Sequence, residues 1–142
     1  MRIEFGPDFA PTWAGTPPGI SPQDLTIWRA WQPIAAKRYL KFNFNVRLIR
    51  PGVLPAHVEP EFRAMWEANT AKRIDVLGWA ADHIDIIELR DNAGLSALGQ
   101  LAGYATFLNR EMQDRAPFRM VLVTNRPDAD VSDTATTMGI AV

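Results

Sequence analysis

The stretch from residue 73 to residue 104 reads RIDVLGWAADHIDIIELRDNAGLSALGQLAGY, and it decides the fold. Two short apolar runs, at 74–79 and 84–90, are separated by four residues, a spacing typical of a β-hairpin. Each run carries an acid where a strand is expected to be apolar, Asp75 in the first and Glu88 in the second. A carboxylate in an apolar strand is costly to desolvate unless it is paired, hydrogen-bonded or bound to a metal. Two such acids on adjacent strands therefore predict a shared cation.

The overall composition is that of a globular protein. The chain has 142 residues, of which 47% are hydrophobic and 22% are charged, and this suits one domain with one core. No apolar run approaches the roughly 20 residues of a membrane span, and the first residues lack the apolar core of a signal peptide. The absence of cysteine excludes disulfides and thiolate zinc sites. We therefore expect no membrane partner, and a location in the cytoplasm or in a particle assembled inside a cell.

Charge is distributed unevenly along the chain, although the net charge is only −1. Residues 26–73 carry nine Lys or Arg and three Glu, a net charge of +6, whereas residues 74–142 carry five Arg and ten acids, a net charge of −5. A basic part beside an acidic part is expected where a phosphate-facing side adjoins a metal-binding side. Ordinary scatter of surface charge gives the same counts, and both interpretations stay open.

The segment before the hairpin predicts an arm, a helix and a strand. Residues 1–20 are rich in Pro and Gly and indicate an extended arm on the surface, with Trp13 as its anchor. Ser21 is the N-cap of a helix that Pro33 is expected to kink or restart. Residues 40–48 alternate strictly and indicate a half-buried strand. Its five apolar side chains are expected on one face: Leu40, Phe42, Phe44, Val46 and Leu48.

Further elements complete an α/β order. A loop is predicted at 50–60, helices at 61–71, 96–112 and 128–138, and short strands at 118–124 and 140–142. The strand at 118–124 is continuously apolar and is therefore expected near the centre of the sheet. The order is helix, three strands with one helix inserted, long helix, strand, helix, strand. It predicts an α/β fold with a mixed central sheet flanked by helices.

The hairpin also predicts a site. Glu88 and Arg90 are two positions apart on one strand and so share a face, and a hairpin closed at 80–83 brings Asp75 towards them. Two carboxylates and a backbone carbonyl, such as that of Leu89, form an oxygen site suited to Mg²⁺ or Mn²⁺. Such an ion polarises a phosphodiester and activates water, and a neighbouring cation stabilises the developing charge. The expected chemistry is therefore chemistry on phosphate.

These residues resemble the motif of the PD-(D/E)XK nuclease superfamily, which is an Asp, a short hairpin, an Asp or Glu, one residue and a Lys. Here Asp75 is followed after twelve residues by Glu88, Leu89 and Arg90. The following QLAGY matches the Gln-x-x-x-Tyr motif of the RecB-type branch, through Gln100 and Tyr104. The stretch as a whole is similar to small phage-encoded members of this superfamily.

The resemblance implies a restriction-endonuclease-like core of helix, three strands, helix and strand. It covers a single domain at 21–142 with an inserted loop and helix at 50–71, and it leaves the arm at 1–20 outside. It implies cleavage of DNA that depends on Mg²⁺ or Mn²⁺. The implied catalytic residues are Asp75, Glu88, Arg90, Gln100 and Tyr104, and the implied metal ligands are Asp75, Glu88 and the backbone carbonyl of Leu89.

Arg90 departs from the family pattern, which has Lys at this position. A guanidinium is planar and permanently charged, so it can stabilise charge or clamp a phosphate but cannot serve as a base. Lys72 and Arg73 lie close in sequence and are possible partial substitutes. The acid that the family often places on its first helix corresponds only to Asp24 here, with Glu67 on the inserted helix as an alternative.

A second interpretation keeps the fold and removes the catalysis. A silent copy would be a structural or assembly part of a phage particle, such as the head–tail neck region, with protein partners or a second copy of itself. Arg90, the Pro-rich arm and the five Trp favour it. The site acids would then form ordinary cross-strand ion pairs, Asp75 with Arg90 and Glu88 with Arg73. An enzyme would work on DNA in the host cytoplasm and a silent copy in the virion. In both cases His57 and His83 are expected to face solvent.

Overall fold

The structure is a computed structural model that describes residues 2–49, 57–112 and 117–142. Within these ranges the strands form one six-stranded sheet whose spatial order follows the order of the chain. The strands are β1 (Arg2–Glu4), β2 (Lys41–Ile49), β3 (Lys72–Trp79), β4 (Ile84–Ala93), β5 (Phe118–Pro127) and β6 (Ile140–Ala141). The helices are α1 (Pro22–Ala35), α2 (Pro60–Thr70), α3 (Leu95–Glu111) and α4 (Ala129–Met138).

The sheet is mixed. The strands from β1 to β4 pair antiparallel, whereas β4 with β5 and β5 with β6 pair parallel. The predicted α/β class is therefore confirmed, and the order α1, three strands, α3 and β5 is consistent with a restriction-endonuclease-like core. Helix α2 lies between β2 and β3 in the chain, where an insertion was expected. Of the loop predicted at 50–60, residues 50–56 lie outside the described ranges.

Two apolar layers hold the helices on the sheet. On one face Trp28 of α1 is fully buried and meets Phe42 and Phe44 edge-on, with ring centroids 5.1 and 5.2 Å away. On the other face Leu98 and Leu101 of α3 are buried in a second cluster, to which α4 contributes Val131 and Ala135. The helices thus cover opposite faces of the sheet, and the central strands lie between two apolar layers.

Helix α1 begins as its sequence predicts. Ser21 precedes the helix in extended conformation, and its hydroxyl accepts a hydrogen bond from the backbone N–H of Asp24 at 3.1 Å. The helix does not restart at Pro33, because it continues through this residue to Ala35. Pro33 lies in the last turn, so few of the helix's hydrogen bonds depend on that position.

The predicted single apolar face of residues 40–48 is wrong. Phe42 and Phe44 pack on the α1 side of the sheet, whereas Val46 and Leu48 pack on the α3 side. The reason lies between them, since Asn45 has a positive φ of 51° that reverses the alternation of side chains. Leu40 is outside the strand and is 69% exposed.

The arm contributes to the sheet. Strand β1 pairs with β2, and the backbones of Phe9 and Phe42 exchange two hydrogen bonds of 2.9 Å. The ring of Trp13 lies 4.4 Å from that of Phe9, and Gln32 of α1 donates its side-chain N–H to the carbonyl of Trp13 at 2.6 Å. Trp13 thus anchors the arm as predicted, between α1 and the first long strand.

The C-terminal elements differ from prediction in one respect. Helix α4 ends as expected at Gly139, whose φ of 73° is the left-handed conformation that glycine adopts without a steric penalty. Strand β5 was expected near the centre, but its outer neighbour β6 has only two residues. Leu122 of β5 is nevertheless fully buried, because α3 and α4 cover that face. No helix in the described ranges is both long enough and apolar enough to cross a lipid bilayer.

Candidate functional site

The β3–β4 hairpin opens at the position of its two acids. The strands pair from Trp79 with Ile84 as far as Val76 with Ile87, and the next step in the same register would place Asp75 opposite Glu88. That pair is not formed. Instead Asp75 Oδ2 accepts a hydrogen bond of 2.9 Å from the backbone N–H of Leu89. The carboxylate therefore takes the place of a main-chain carbonyl in the ladder, and this draws it to β4.

Glu88 is buried beside Asp75. Its residue is only 4% exposed, and its Oε2 has no hydrogen-bond partner among the described residues. Burial first, and then the neighbouring carboxyl group of Asp75, raise the pKa of Glu88 to about 9, while Arg90 opposes the shift. The two carboxyl groups therefore hold a proton near neutral pH, and they form a strong potential site for a cation.

Arg90 lies at the open side of this pair. Its Nε is 3.5 Å from Glu88 Oε1, and its Nη2 donates a hydrogen bond to Oε1 of Gln100. The side chain of Arg90 is 39% exposed, so the guanidinium is in contact with solvent as well as with the site. Gln100 thus orients a cation that is adjacent to Glu88 and accessible from outside.

Two further side chains, one from α3 and one from α1, lie close enough to the two acids for the charge there to add to the effect of burial on the pKa of each. The pKa of Tyr104 is raised to about 12, first by burial and then by the charges of Glu88 and Asp75. The pKa of Asp24 is raised by burial, and the charge of Asp75 acts in the same direction. Helix α1 therefore supplies an acid near the site from its first turn. The alternative acid, Glu67, lies elsewhere and contacts Arg2 at 2.6 Å.

Two open cavities lie beside the outer residues of the site. One of about 300 Å³ contains Asp24 and Arg90 on its wall. The other, of about 420 Å³, runs along α3 past Gln100 and Tyr104 and is bounded by Lys72 of β3. Lys72 is therefore a second cation, on the same cavity as Gln100 and Tyr104.

The residues present fit a divalent cation with oxygen ligands. Asp75 and Glu88 supply two carboxylates, and Glu88 has a buried oxygen without a hydrogen-bond partner in the part of the chain that the structure describes. The N–H of Leu89 points to Asp75, and since the N–H and C=O of one strand residue face the same edge, its carbonyl faces the same gap. The described residues contain no group of three His, Asp or Glu ligands. Mg²⁺ tolerates this, because it commonly binds one or two carboxylates and completes its shell with water and substrate phosphates.

A second buried acid was not predicted from the sequence. Asp85 is 7% exposed, and its Oδ2 accepts a hydrogen bond from the hydroxyl of Tyr39. His83 was expected to face solvent, and this is wrong, because its Nε2 lies 3.3 Å from Asp85 Oδ1 and its Nδ1 lies 2.6 Å from Asp82. His57 is exposed as expected. The sequence signal for Asp85 was its place between Ile84 and Ile86, equivalent to that of Glu88.

The structure thus places Asp75, Glu88, Arg90 and Gln100 close together at one end of the hairpin, and Tyr104 and the candidate acid Asp24 lie close enough to be affected by their charges. No protein-family model matches the chain, and no curated protein matches it. One similar solved structure is described as an EndoMS–dsDNA2 complex, with 24% sequence identity and a TM-score of 0.43. The similarity covers 66% of this chain and 36% of that chain, so this chain spans little more than a third of the length of its structural neighbour.

Proposed function

We propose that the chain is a phage-type PD-(D/E)XK protein that hydrolyses phosphodiester bonds of DNA with Mg²⁺ or Mn²⁺. The observation that carries the proposal is that Glu88, with a buried oxygen that has no hydrogen-bond partner among the described residues, lies beside Asp75. Asp75, Glu88 and the carbonyl of Leu89 would hold the ion. When bound, the ion polarises the phosphodiester and lowers the pKa of a water molecule.

The other residues have distinct tasks in this proposal. Arg90 contacts a non-bridging phosphate oxygen and stabilises the charge that develops on it, while Gln100 fixes the guanidinium in the required orientation. Tyr104 presents a phenol that remains protonated, because burial and the nearby carboxylates raise its pKa to about 12. It therefore acts as a hydrogen-bond donor to the substrate. Lys72 attracts the DNA backbone along the groove beside α3.

Proton release accompanies metal binding in this proposal. Glu88 retains its proton at neutral pH in the absence of a cation, because its pKa is raised to about 9. A ligand carboxylate must be deprotonated, so the cation displaces that proton. Arg90 cannot accept a proton from water, so its role in this proposal is confined to holding the phosphate, and an ion held by Asp75 and Glu88 would supply the activation of water.

The experiment is a cleavage assay on supercoiled and linear DNA with Mg²⁺, Mn²⁺ or EDTA. We expect nicking or cutting with either ion and none with EDTA. Glu88→Ala should abolish cleavage, because two carboxylates leave no spare ligand. Asp85→Ala is the matched control, since it removes a buried acid from the same strand outside the site. Cleavage that persists in EDTA or in the Glu88→Ala chain contradicts the proposed mechanism.

One observation favours the silent copy as a second candidate. The guanidinium of Arg90 lies 3.5 Å from Glu88 and neutralises part of the charge that a metal would require. In a silent copy, which would assemble with protein partners or with itself, Arg90→Ala should destabilise the fold and Mg²⁺ should leave the melting temperature of the native chain unchanged. In an enzyme, Mg²⁺ should raise that melting temperature, and Arg90→Lys should retain or increase cleavage.

A further inference from the structure

Asn45 stands out in the backbone of the sheet. Of the non-glycine residues in the described part of the chain, it alone has a positive φ, at 51°. The ladder between β2 and β3 pairs Phe44 with Val76 and Val46 with Ile74, and it omits the pair of Asn45 and Asp75 between them. The one left-handed residue of the strand is thus directly opposite the carboxylate of the site.

Both strands exchange faces at this level. In β2 the change falls between Phe44, on the α1 side, and Val46, on the α3 side. In β3 it falls between Val76, on the α1 side, and Ile74, on the α3 side. A regular strand would keep residues two apart on one face. Because of this reversal, Asp75 does not follow the alternation of side chains between the two faces of the sheet. Its carboxylate lies in the plane of the sheet and accepts a hydrogen bond from the N–H of Leu89.

We infer that Asn45 is a positioning residue, whose left-handed backbone opens the sheet and turns Asp75 towards β4 and Glu88. As a statement about a metal site this rests on the proposed function, whereas the placement of Asp75 does not. Asn is among the few residues that adopt this conformation readily. Conformational outliers of this kind persist where the surroundings enforce them, and they occur often beside functional sites.

The arm holds Asn45 in place. Gly19 has a φ of 74°, and a Cβ at this position would lie 2.6 Å from Cγ of Asn45. Gly19, Asn45, Asp75 and Leu89 together border a small cavity of about 10 Å³, which has room for no more than one water molecule. The arm therefore closes the α1 side of Asp75 and leaves its access to β4 open.

The experiment compares Asn45→Gly with Asn45→Val. Glycine accepts a positive φ, whereas a β-branched residue does so only under strain. We expect the nuclear Overhauser contact between the Asp75 β protons and the Leu89 amide proton in the native chain and in Asn45→Gly. We expect its loss in Asn45→Val, with a regular cross-strand contact between positions 45 and 75 in its place. Mn²⁺ affinity should fall at least about tenfold in Asn45→Val only.

Asn43→Ala is the matched control on the same strand. Asn43 accepts a hydrogen bond from Trp79 and donates to Asp8, so its loss should lower stability without altering the Asp75 contact or Mn²⁺ affinity. If Asn45→Val does not fold, Asn45→Ala replaces it in the same comparison. The inference is wrong if the folded variant keeps the Asp75–Leu89 contact, or if Asn45→Gly loses it. A native chain that keeps the contact but binds no Mn²⁺ would refute the proposed function and leave the placement by Asn45 intact.

Discussion

Strand β4 carries two buried acids three residues apart, and their surroundings differ. Asp85 faces the α1 side, where the hydroxyl of Tyr39 and the imidazole of His83 contact its two oxygens. Each acid has one oxygen without a hydrogen-bond partner among the described residues, but Asp85 has an imidazole 3.3 Å from that oxygen, whereas Glu88 lies beside a second carboxyl group. A buried acid beside a hydroxyl and an imidazole is partly compensated for its burial, whereas one beside a like charge costs stability until it is protonated or a cation binds. Burial in an apolar strand therefore does not distinguish a structural acid from a functional one, whereas the groups around its carboxylate do.

The largest expected contrast is between Glu88→Gln and Asp85→Ala. Glu88→Gln should raise stability at pH 8, because native Glu88 must keep a proton that the unfolded chain has released at this pH, whereas Gln is neutral in both states, and should reduce cleavage at least about 10²-fold. Asp85→Ala should lower stability by about 2 kcal/mol, because it leaves the buried Tyr39 hydroxyl unpaired, and should retain cleavage. Urea unfolding and a DNA cleavage assay measure both effects. The comparison fails if the two substitutions change stability in the same direction.

The second contrast is in pH dependence. The folded pKa of Glu88 is about 9 against an ordinary value of 4.5, so between these pH values the folded chain holds a proton that the unfolded chain has released. Stability should therefore fall as pH rises from about 4.5 to 9. Glu88→Gln should flatten this slope, and Asp85→Ala should keep it. Urea titrations at pH 5, 7 and 9 test this, and an equal slope in native and Glu88→Gln chains would show that Glu88 titrates normally.

The third contrast concerns metal binding. Because a cation must displace the proton of Glu88, Mn²⁺ affinity should rise by up to about tenfold per pH unit below pH 9. Asp75→Asn should abolish this binding, and Asp85→Ala should preserve it. Isothermal titration calorimetry in two buffers of different ionisation enthalpy measures both the affinity and the proton released. Binding that is independent of pH would place the ion away from Glu88.

The smallest contrast is between the tyrosines that accompany the two acids. Tyr39→Phe should cost about 1 kcal/mol, because it removes the hydrogen bond to Asp85, and it should leave cleavage unchanged. Tyr104→Phe should leave stability nearly unchanged and slow cleavage, because its hydroxyl is assigned to the substrate. Thermal melts and initial cleavage rates distinguish the two. Equal effects of Tyr39→Phe and Tyr104→Phe on stability and cleavage would contradict the assignment of a structural role to Asp85 and a functional role to Glu88.

The architecture could be predicted because the signals were local. Ser21 predicted the start of α1, Gly139 the end of α4, and the hydrophobic periodicity of α3 its buried face. The hairpin that carries Asp75 and Glu88 also followed from the spacing of its two apolar runs. These features depend on spacing along the chain, and tertiary contacts do not alter them.

The remaining features could not be predicted because they depend on tertiary contacts. The face reversal at Asn45 is enforced by the arm and by β3, and an alternating sequence carries no sign of it. The role of His83 depends on Asp85, which the periodicity analysis treated as part of an apolar run. Arg90 was weighed as a partner of Asp75, but the structure places its Nε 3.5 Å from Glu88. Such pairings depend on strand register to within one residue.

The sequential order of the strands also has a kinetic consequence. Strands β3 and β4 pair through a short turn, so they can meet while α3 and β5 are still unstructured. Asp75 and Glu88 would then approach each other while water still screens their charges. Helix α3, which shields Glu88 from water, would pack later, when the two carboxyl groups are already close together. Folding of this chain would therefore meet its main electrostatic barrier when α3 docks, after the hairpin has formed.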